Sequence, residues 1–336
     1  MTTADSQLLL RAPTLADIPA AVALMNAVSM AEQGVRQEDE AHLAHEWATD
    51  HFDLATDARF ALDVEGRPIG YIEVWDRPPH VHPFIWGCVH PDYQGRGIGT
   101  GLMDWAEARA ARVVNDAPAG ARVSVRASTV STNERAARLL TRRGYRPVRH
   151  FWRMVRELEP AVTPEPPDWP EGITLRPYFP GLDDRLIHRV VMDSFRDHWG
   201  FIEEPFEAWR RRVRGRPDFD PSLWLLAVTT ASGGDEIVGV ALCSPAAIED
   251  PDMGWVGSLG VLREWRRRGI ARALLQYAIG EFYRRGQARV GLGVDAASLT
   301  GATRLYEEVG MRVVRQWDQY EKVLREGQEI AIESLD

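Results

Sequence analysis

Apolar positions along the chain follow two periods, and the change from one to the other occurs in the same order twice. Alternating runs predict strands, and apolar residues three or four apart predict amphipathic helices. The first half predicts a strand at 8–11, helices at 17–28 and 39–50, strands at 58–64, 68–75 and 82–90, a helix at 98–113, a strand at 121–127, a helix at 133–143 and a final strand pair. The second half predicts a strand at 173–176, helices at 182–195 and 205–215, strands at 222–229, 236–244 and 255–262, a helix at 270–285, a strand at 288–294, a helix at 299–309 and a final strand pair. This mixture predicts a three-layer α/β (α+β mixed sheet) domain.

Four segments of the first half resemble four segments of the second half at a nearly constant distance. The separations are 165 residues for Arg11 and Arg176, 169 for Gly70 and Gly239, 172 for Gly97 and Gly269, and 166 for Gly144 and Gly310. This period is too long for a solenoid and indicates a duplicated domain. Residues 157–172 contain five prolines, which is typical of an extended linker. The predicted organisation is an N-terminal domain at 1–156, a linker at 157–172 and a C-terminal domain at 173–336.

Composition narrows the class of protein. The 336 residues carry 40 basic and 49 acidic side chains, and each half is acidic, which argues against general nucleic-acid binding. Two cysteines cannot build a disulfide-dense scaffold. No run reaches the roughly 18 uninterrupted apolar residues of a membrane helix, and residues 1–7 lack the features of a signal peptide. We therefore expect a cytoplasmic protein.

A glycine-marked turn follows a strand and opens a helix in each copy. It reads QGRGIG at 94–99 and RRRGIA at 266–271. Small residues let the backbone approach a ligand, and the first N–H groups of a helix have no partner within it, so the turn can bind a pyrophosphate. Charge-assisted hydrogen bonds to phosphate could come from Arg96, Arg267 and Arg268. The turn lacks the lysine of a Walker loop, and it lies too late in each copy for a dinucleotide-binding fold.

Together, the strand, the [QR]-x-x-G-x-[GA] turn, the helix, the next strand and a late helix of pattern A-x-x-L-[YL]-x-x-x-G resemble the GNAT acetyltransferases. The resemblance covers about 8–156 and 173–327, and the tandem arrangement is similar to mycothiol synthase and related double-GNAT proteins of actinobacteria. It implies two tandem acyl-CoA N-acyltransferase domains, acetyl-CoA (coenzyme A) as acyl donor, no metal, and direct attack by a primary amine of a small molecule. We expect no nucleic-acid or membrane partner and a monomer or homodimer.

The resemblance also implies which residues hold acetyl-CoA. Its pyrophosphate would lie on the turn amides, its pantetheine arm beside the strand before the turn, and an amide of that strand would polarise the thioester carbonyl. In the second copy these residues are Leu259, Gly260, Val261, Arg266, Arg267, Arg268, Gly269, Ile270, Ala271 and Arg272. In the first copy they are Val89, Gln94, Gly95, Arg96, Gly97, Ile98, Gly99, Thr100 and Asn133.

The copies differ where the resemblance implies catalysis. Tyr306 occupies the late-helix position at which the family often has the acid for the departing thiolate, whereas the first copy has Leu140 there. Conversely, the first copy has the family's common asparagine, Asn133, where the second has Leu299. We therefore expect catalysis in the C-terminal domain. The N-terminal domain is expected to be degenerate, and the sequence leaves open whether it binds CoA.

The general base has several candidates. His198 lies in DSFRDHWGFIEE, a region that lines the acceptor site in the family, and a near-neutral imidazole can accept an amine proton. Mycothiol-synthase-like enzymes are expected to have a glutamate at the head of the strand before the second turn, where this chain has Trp255, which counts against mycothiol synthesis itself. Other candidates are a water chain and the loop carboxylates Glu249, Asp250 and Asp252. Mycothiol synthase proper and a non-catalytic acyl-CoA-binding or regulatory protein stay open as alternative functions.

Overall fold

A computed structural model describes residues 8–230, 235–298 and 301–331. The chain forms two compact units, and each unit takes its last strand from the other half of the sequence. The N-terminal unit comprises 1–149 and 317–330, and the C-terminal unit comprises 150–316 and 331–336.

The N-terminal unit is a mixed sheet with helices on both faces. Its elements are β1 (Leu9–Arg11), α1 (Ile18–Gln33), α2 (Glu40–Trp47), α3 (Leu54–Asp57), β2 (Ala58–Leu62), β3 (Pro68–Trp75), β4 (Phe84–Val89), α4 (Ile98–Arg112), β5 (Val123–Val130), α5 (Glu134–Arg142) and the part of β12 (Arg312–Arg325) that begins at Trp317. The strand order is β1-β2-β3-β4-β5-β12, and only β4 and β5 are parallel to each other.

Alternating side chains of β3 separate the two apolar layers of this unit. Tyr71 packs in a layer with α1 and α2, and its neighbour Ile72 packs on the opposite face with α4. Helix α1 continues beyond its predicted end at residue 28, because Gly34 ends it with a left-handed φ of 74°. Residues 15–33 are long and apolar enough to cross a membrane by length and composition, although Leu24, Met25 and Val28 are buried inside the unit.

The C-terminal unit repeats this architecture. Its elements are the part of β6 (Arg146–Glu157) that begins at His150, β7 (Ile173–Pro177), α6 (Asp184–Phe195), α7 (Phe206–Arg214), β8 (Trp224–Thr229), β9 (Glu236–Ser244), β10 (Met253–Val261), α8 (Ile270–Arg284), β11 (Arg289–Asp295) and α9 (Ala302–Glu308). The strand order is β7-β8-β9-β10-β11-β6, with β10 and β11 parallel to each other. Helices α6 and α7 pack on one face, with Ile187 and Trp209 in their layer, and α8 packs on the other with Leu274.

The predicted mixed sheet with helices is confirmed in both units. The final strands depart from the prediction of a strand pair within each copy, because β12 pairs with β5 from Val123 to Val130 and β6 pairs with β11 from Arg289 to Asp295. Period-two alternation identifies a strand but does not say which strand edge it completes, so the sequence pattern could not reveal this exchange. Part of the predicted helix 299–309, including Leu299, lies outside the described residues.

Candidate functional site

Both glycine-marked turns expose the N-terminus of a helix. Gly97 before α4 and Gly269 before α8 have φ values of 83° and 88°, and no side chain caps either helix. The first amides of α4 and α8 therefore lack a side-chain acceptor and can receive an anion, with the helix dipole adding to the attraction. This local geometry fits the pyrophosphate site that the sequence predicts.

The arginines of the second turn have different environments. The Arg266 guanidinium donates to a carboxylate oxygen of Asp197 at 2.6 Å and to the Ser194 carbonyl at 3.0 Å, so it ties the turn to the end of α6. Arg268 lies 4.6 Å from the ring centroid of Trp265. Arg267 is exposed, and its φ of 62° is unusual for a residue with a side chain. Arg266 is thus engaged in positioning the turn, whereas Arg267 is exposed to incoming ligands.

The first turn is organised by a neutral side chain at the corresponding place. The Gln94 side-chain amide donates to the Val89 carbonyl at 3.3 Å and accepts from Arg135 at 2.8 Å. Arg96 donates to the Asp92 carbonyl at 2.9 Å and lies over Tyr93. Val89, Gln94, Gly95, Gly97, Ile98, Gly99, Thr100 and Asn133 line one cavity, and Arg96 does not.

That cavity of the N-terminal unit opens where its two parallel strands separate. β4 pairs with β5 only at Phe84 and Ile85, and beyond Ile85 the strands diverge. The resulting cavity has a volume of about 920 Å³ and extends from the turn to α1. Strand amides beside an open cleft can bond an extended ligand as an added strand would, which fits a pantetheine arm.

The corresponding strand of the C-terminal unit carries a β-bulge. β10 pairs with β11 up to Val256, and its register with β9 shifts between Val256 and Ser258. Gly257 is exposed and has no partner in the register with β9. A bulged residue leaves the ladder, so its backbone groups face the space that the diverging strands open. β4 pairs with β3 in unbroken register and has no such residue.

The proposed acid and its counterpart are both buried. Tyr306 on α9 is 7% exposed, and burial raises the pKa of its hydroxyl to about 12. The hydroxyl therefore holds its proton at neutral pH, which a general acid requires. Leu140 is also buried and lines the cavity of the N-terminal unit, where it cannot donate a proton.

His198 lies close to residues at the open ends of the C-terminal unit's sheet. Burial lowers its pKa, Asp295 at the end of β11 acts in the opposite direction, and Arg266 of the turn lowers it further. The imidazole is therefore neutral near pH 7 and can accept a proton. Its ring contacts Phe195, with 4.5 Å between ring centroids.

The alternative carboxylates near β10 have ion-pair partners. Glu249 pairs with Arg153, and Asp250 accepts two hydrogen bonds from Arg289 at 2.8 and 2.9 Å. Trp255 packs against Gly291 and lies 4.7 Å from the Arg153 guanidinium. These contacts give Glu249 and Asp250 a role in holding the strands and leave His198 as the better-placed base.

A group of carboxylates in the N-terminal unit was not predicted from the sequence. Glu32 and Glu38 line the cavity, and Glu73 on β3 is buried with hydrogen bonds from the Tyr71 hydroxyl and the Trp75 indole. The segment QEDE at 37–40 is typical of a solvated surface, so its charge gave no signal of burial. Asn133 caps α5 through the Ala136 amide and donates to a Glu32 oxygen at 2.6 Å.

A family model described as the acetyltransferase (GNAT) family matches residues 22–145 and again 187–311. The chain belongs to this family. Among curated relatives, the mycothiol acetyltransferase of Thermobispora bispora is 32% identical over 260 residues, which is 75% of this chain and 80% of the relative. The mycothiol acetyltransferase of Salinispora arenicola is 33% identical over 254 residues, which is 73% of this chain and 75% of the relative.

Solved structures share the whole tandem arrangement. A GCN5-related N-acetyltransferase from Sphaerobacter thermophilus has a TM-score of 0.80 at 38% identity, covering 98% of this chain and 99% of its own. A tandem GNAT protein from the clavulanic acid biosynthesis pathway has the same fold, with a TM-score of 0.73 at 15% identity over 96% of this chain and 100% of its own. The sequence-based identification of a tandem GNAT acyltransferase is confirmed.

Proposed function

We propose that the protein transfers the acetyl group of acetyl-CoA to a primary amine of a small molecule, with the chemistry in its C-terminal unit. The observation that carries this proposal is the bulge at Gly257, which β4 lacks. An unpaired amide at this point can donate to the thioester oxygen as negative charge develops there. The C-terminal unit also has a buried tyrosine where the N-terminal unit has Leu140.

The proposed reaction needs one acid and one base. The amine nitrogen attacks the thioester carbon, the C–N bond forms, and the C–S bond breaks. Tyr306 protonates the departing thiolate, and His198 accepts the proton that the amine loses, directly or through water. The raised pKa of Tyr306 and the lowered pKa of His198 give each residue the protonation state that its role requires at pH 7.

Replacing Tyr306 tests the acid and the choice of unit together. Tyr306→Phe is expected to lower kcat by roughly 10- to 1000-fold, the range of general-acid losses, with little change in acetyl-CoA affinity. The measurement is thiol release from acetyl-CoA with a panel of primary amines. Tyr283→Phe is the matched control, because the Tyr283 hydroxyl only donates to the Pro160 carbonyl on the surface of the same unit. An unchanged rate in Tyr306→Phe would remove this residue from the mechanism.

A second candidate acceptor is a cysteinyl sugar, as the names of the mycothiol acetyltransferase relatives suggest. Trp255 opposes it, because its indole fills the position at which a glutamate base is expected. Faster turnover with the cysteinyl sugar than with simple amines would favour this acceptor. No thiol release with any amine would favour the non-catalytic acyl-CoA-binding function instead. We further infer a cytoplasmic enzyme that acts as a monomer or homodimer.

A further inference from the structure

The cavity of the N-terminal unit contains acidic groups that lack cationic partners among the described residues. The Glu38 carboxylate has neither a hydrogen bond nor an ion pair there, and Glu32 accepts only from the neutral Asn133 amide. Glu73 is bonded to two neutral donors below the cavity floor. Asp39 and Glu46 of the α2 region add negative potential at Glu38, so α1, α2 and β3 all bring carboxylates to one place.

Other buried carboxylates of this chain are paired with arginine. Asp57 bonds Arg109 at 2.8 Å in the same unit, and Asp183 bonds Arg176 at 2.9 Å in the C-terminal unit. Burying a charge without a partner is unfavourable by several kcal/mol. With 39 arginines available, a cavity lined by unpaired carboxylates indicates that its counter-charge comes from a ligand.

We propose that the N-terminal cavity binds a small molecule bearing a primary ammonium group, with Glu38 and Glu32 as its charged partners. The volume of about 920 Å³ is large enough for a drug-sized ligand. Tyr71, Trp86 and Cys88 line the same end and give the bound molecule an apolar wall. An ammonium on an organic skeleton uses both surfaces, whereas a hydrated metal ion would use only the carboxylates.

The electrostatics of Glu38 agree with this assignment. Burial, and then Glu46, Glu73 and Asp39, raise the pKa of Glu38 to about 8. An incoming cation would stabilise the charged carboxylate and lower this pKa again. The proposal is independent of the reaction assigned to the C-terminal unit, because all residues that it uses belong to the N-terminal unit.

Methyl NMR of the full-length protein, labelled with ¹³C at its methionine methyl groups, locates binding directly. Met25 lines the cavity, and Met192 is buried in the C-terminal unit as an internal reference. The probes are 1,4-diaminobutane against 1,4-butanediol, and glucosamine against glucose, in phosphate buffer. We expect an amine to shift the Met25 signal saturably while its neutral partner does not, and we expect Glu38→Gln to weaken that binding at least tenfold.

Control variants separate binding from a structural role. Glu65→Gln removes an exposed carboxylate remote from the cavity and should leave the amine titration unchanged. Thiol release by the C-terminal unit should persist in Glu38→Gln, so failure here and failure of the proposed function are distinguishable. The proposal is overturned if neither amine shifts Met25, if Glu38→Gln binds as tightly as wild type, or if Mg²⁺ alone gives the shift.

Discussion

At the scale of single residues, the two turns reach the same backbone conformation with different side chains. Gly95 has a φ of 78°, and the residue at the corresponding place, Arg267, has a φ of 62°. Glycine adopts this left-handed region freely, but other residues are strained there by roughly 1 kcal/mol. The second turn therefore combines an unfavourable backbone with an additional positive charge beside the phosphate site.

Replacing this arginine with glycine should separate the two effects. Arg267→Gly is expected to stabilise the C-terminal unit by up to about 1 kcal/mol through relief of strain, and to weaken acetyl-CoA binding by removing a cation. Urea unfolding and calorimetric titration with acetyl-CoA measure the two changes. The reciprocal control Gly95→Ala should destabilise the N-terminal unit. Equal acetyl-CoA affinity in Arg267→Gly would show that Arg267 does not contact phosphate.

Residue-level prediction from sequence succeeded where a motif fixes the position. The turn glycines fall at the helix starts as predicted, because only glycine suits the left-handed φ at that point. Glu38 was missed, because its burial depends on the segment between α1 and α2 folding over β3 and β4. Arg266 was predicted as a phosphate ligand, and its bond to Asp197 depends on the position of the α6 end, which no local pattern encodes.

At the scale of elements, a single inserted residue distinguishes the two cofactor strands. After the last parallel pair, β4 continues with 86–89 and β10 with 257–261. The repeat separation grows from 169 to 172 between these landmarks, and the bulge accounts for one of the three added residues. The sequence revealed the insertion as a change of offset but not its location, because a bulge and a longer loop change the count equally.

Strand β12 is anchored in the N-terminal unit by a buried ion network. Glu321 accepts from the Ser124 hydroxyl at 2.8 Å, from Arg126 at 3.2 Å and from Arg122. Burial raises the pKa of Glu321, but the hydrogen bonds from Arg122 and Ser124 and the charge of Arg126 outweigh it, so the pKa lies below its ordinary value. This carboxylate thus contributes stability above its unfolded pKa, and the contribution is lost as the pH falls through the folded pKa.

Neutralising this carboxylate should loosen the strand. Glu321→Gln is expected to cost about 3–5 kcal/mol at pH 7, because Arg126 would be left buried without its counter-charge. Urea unfolding followed by circular dichroism gives the value, and the difference from wild type should shrink below pH 4. Glu326→Gln, at an exposed site just beyond β12, is the matched control. A cost below about 1 kcal/mol would place the anchoring of β12 in its backbone hydrogen bonds alone.

At the scale of the whole molecule, the folding units differ from the sequence copies. Residues 1–156 contain β6, which belongs mainly to the C-terminal unit, and lack β12, whose Tyr320 packs in the N-terminal core. The repeat and its linker were predicted from sequence. Which copy's final strand completes which sheet could not be, since both strands fit either edge by pattern alone.

Two truncated chains test this arrangement. A fragment of residues 1–156 should have an open β5 edge and aggregate or lack dispersed amide NMR signals. A chain in which 1–149 is joined by a long Gly/Ser linker to 317–330 contains the complete N-terminal unit and should fold. Dispersed spectra for the first fragment would show that the first copy is self-sufficient.

The exchange of final strands also bears on how such a gene can change after duplication. Each copy supplies the strand that closes its sister's sheet, so a deletion that removes either half leaves the other incomplete. Selection then retains the first copy for its architecture even when its acid position carries Leu140. A copy that is retained for this reason is free to lose one chemistry and to acquire another ligand, and the carboxylate-lined cavity of the N-terminal unit is where such a history would be recorded.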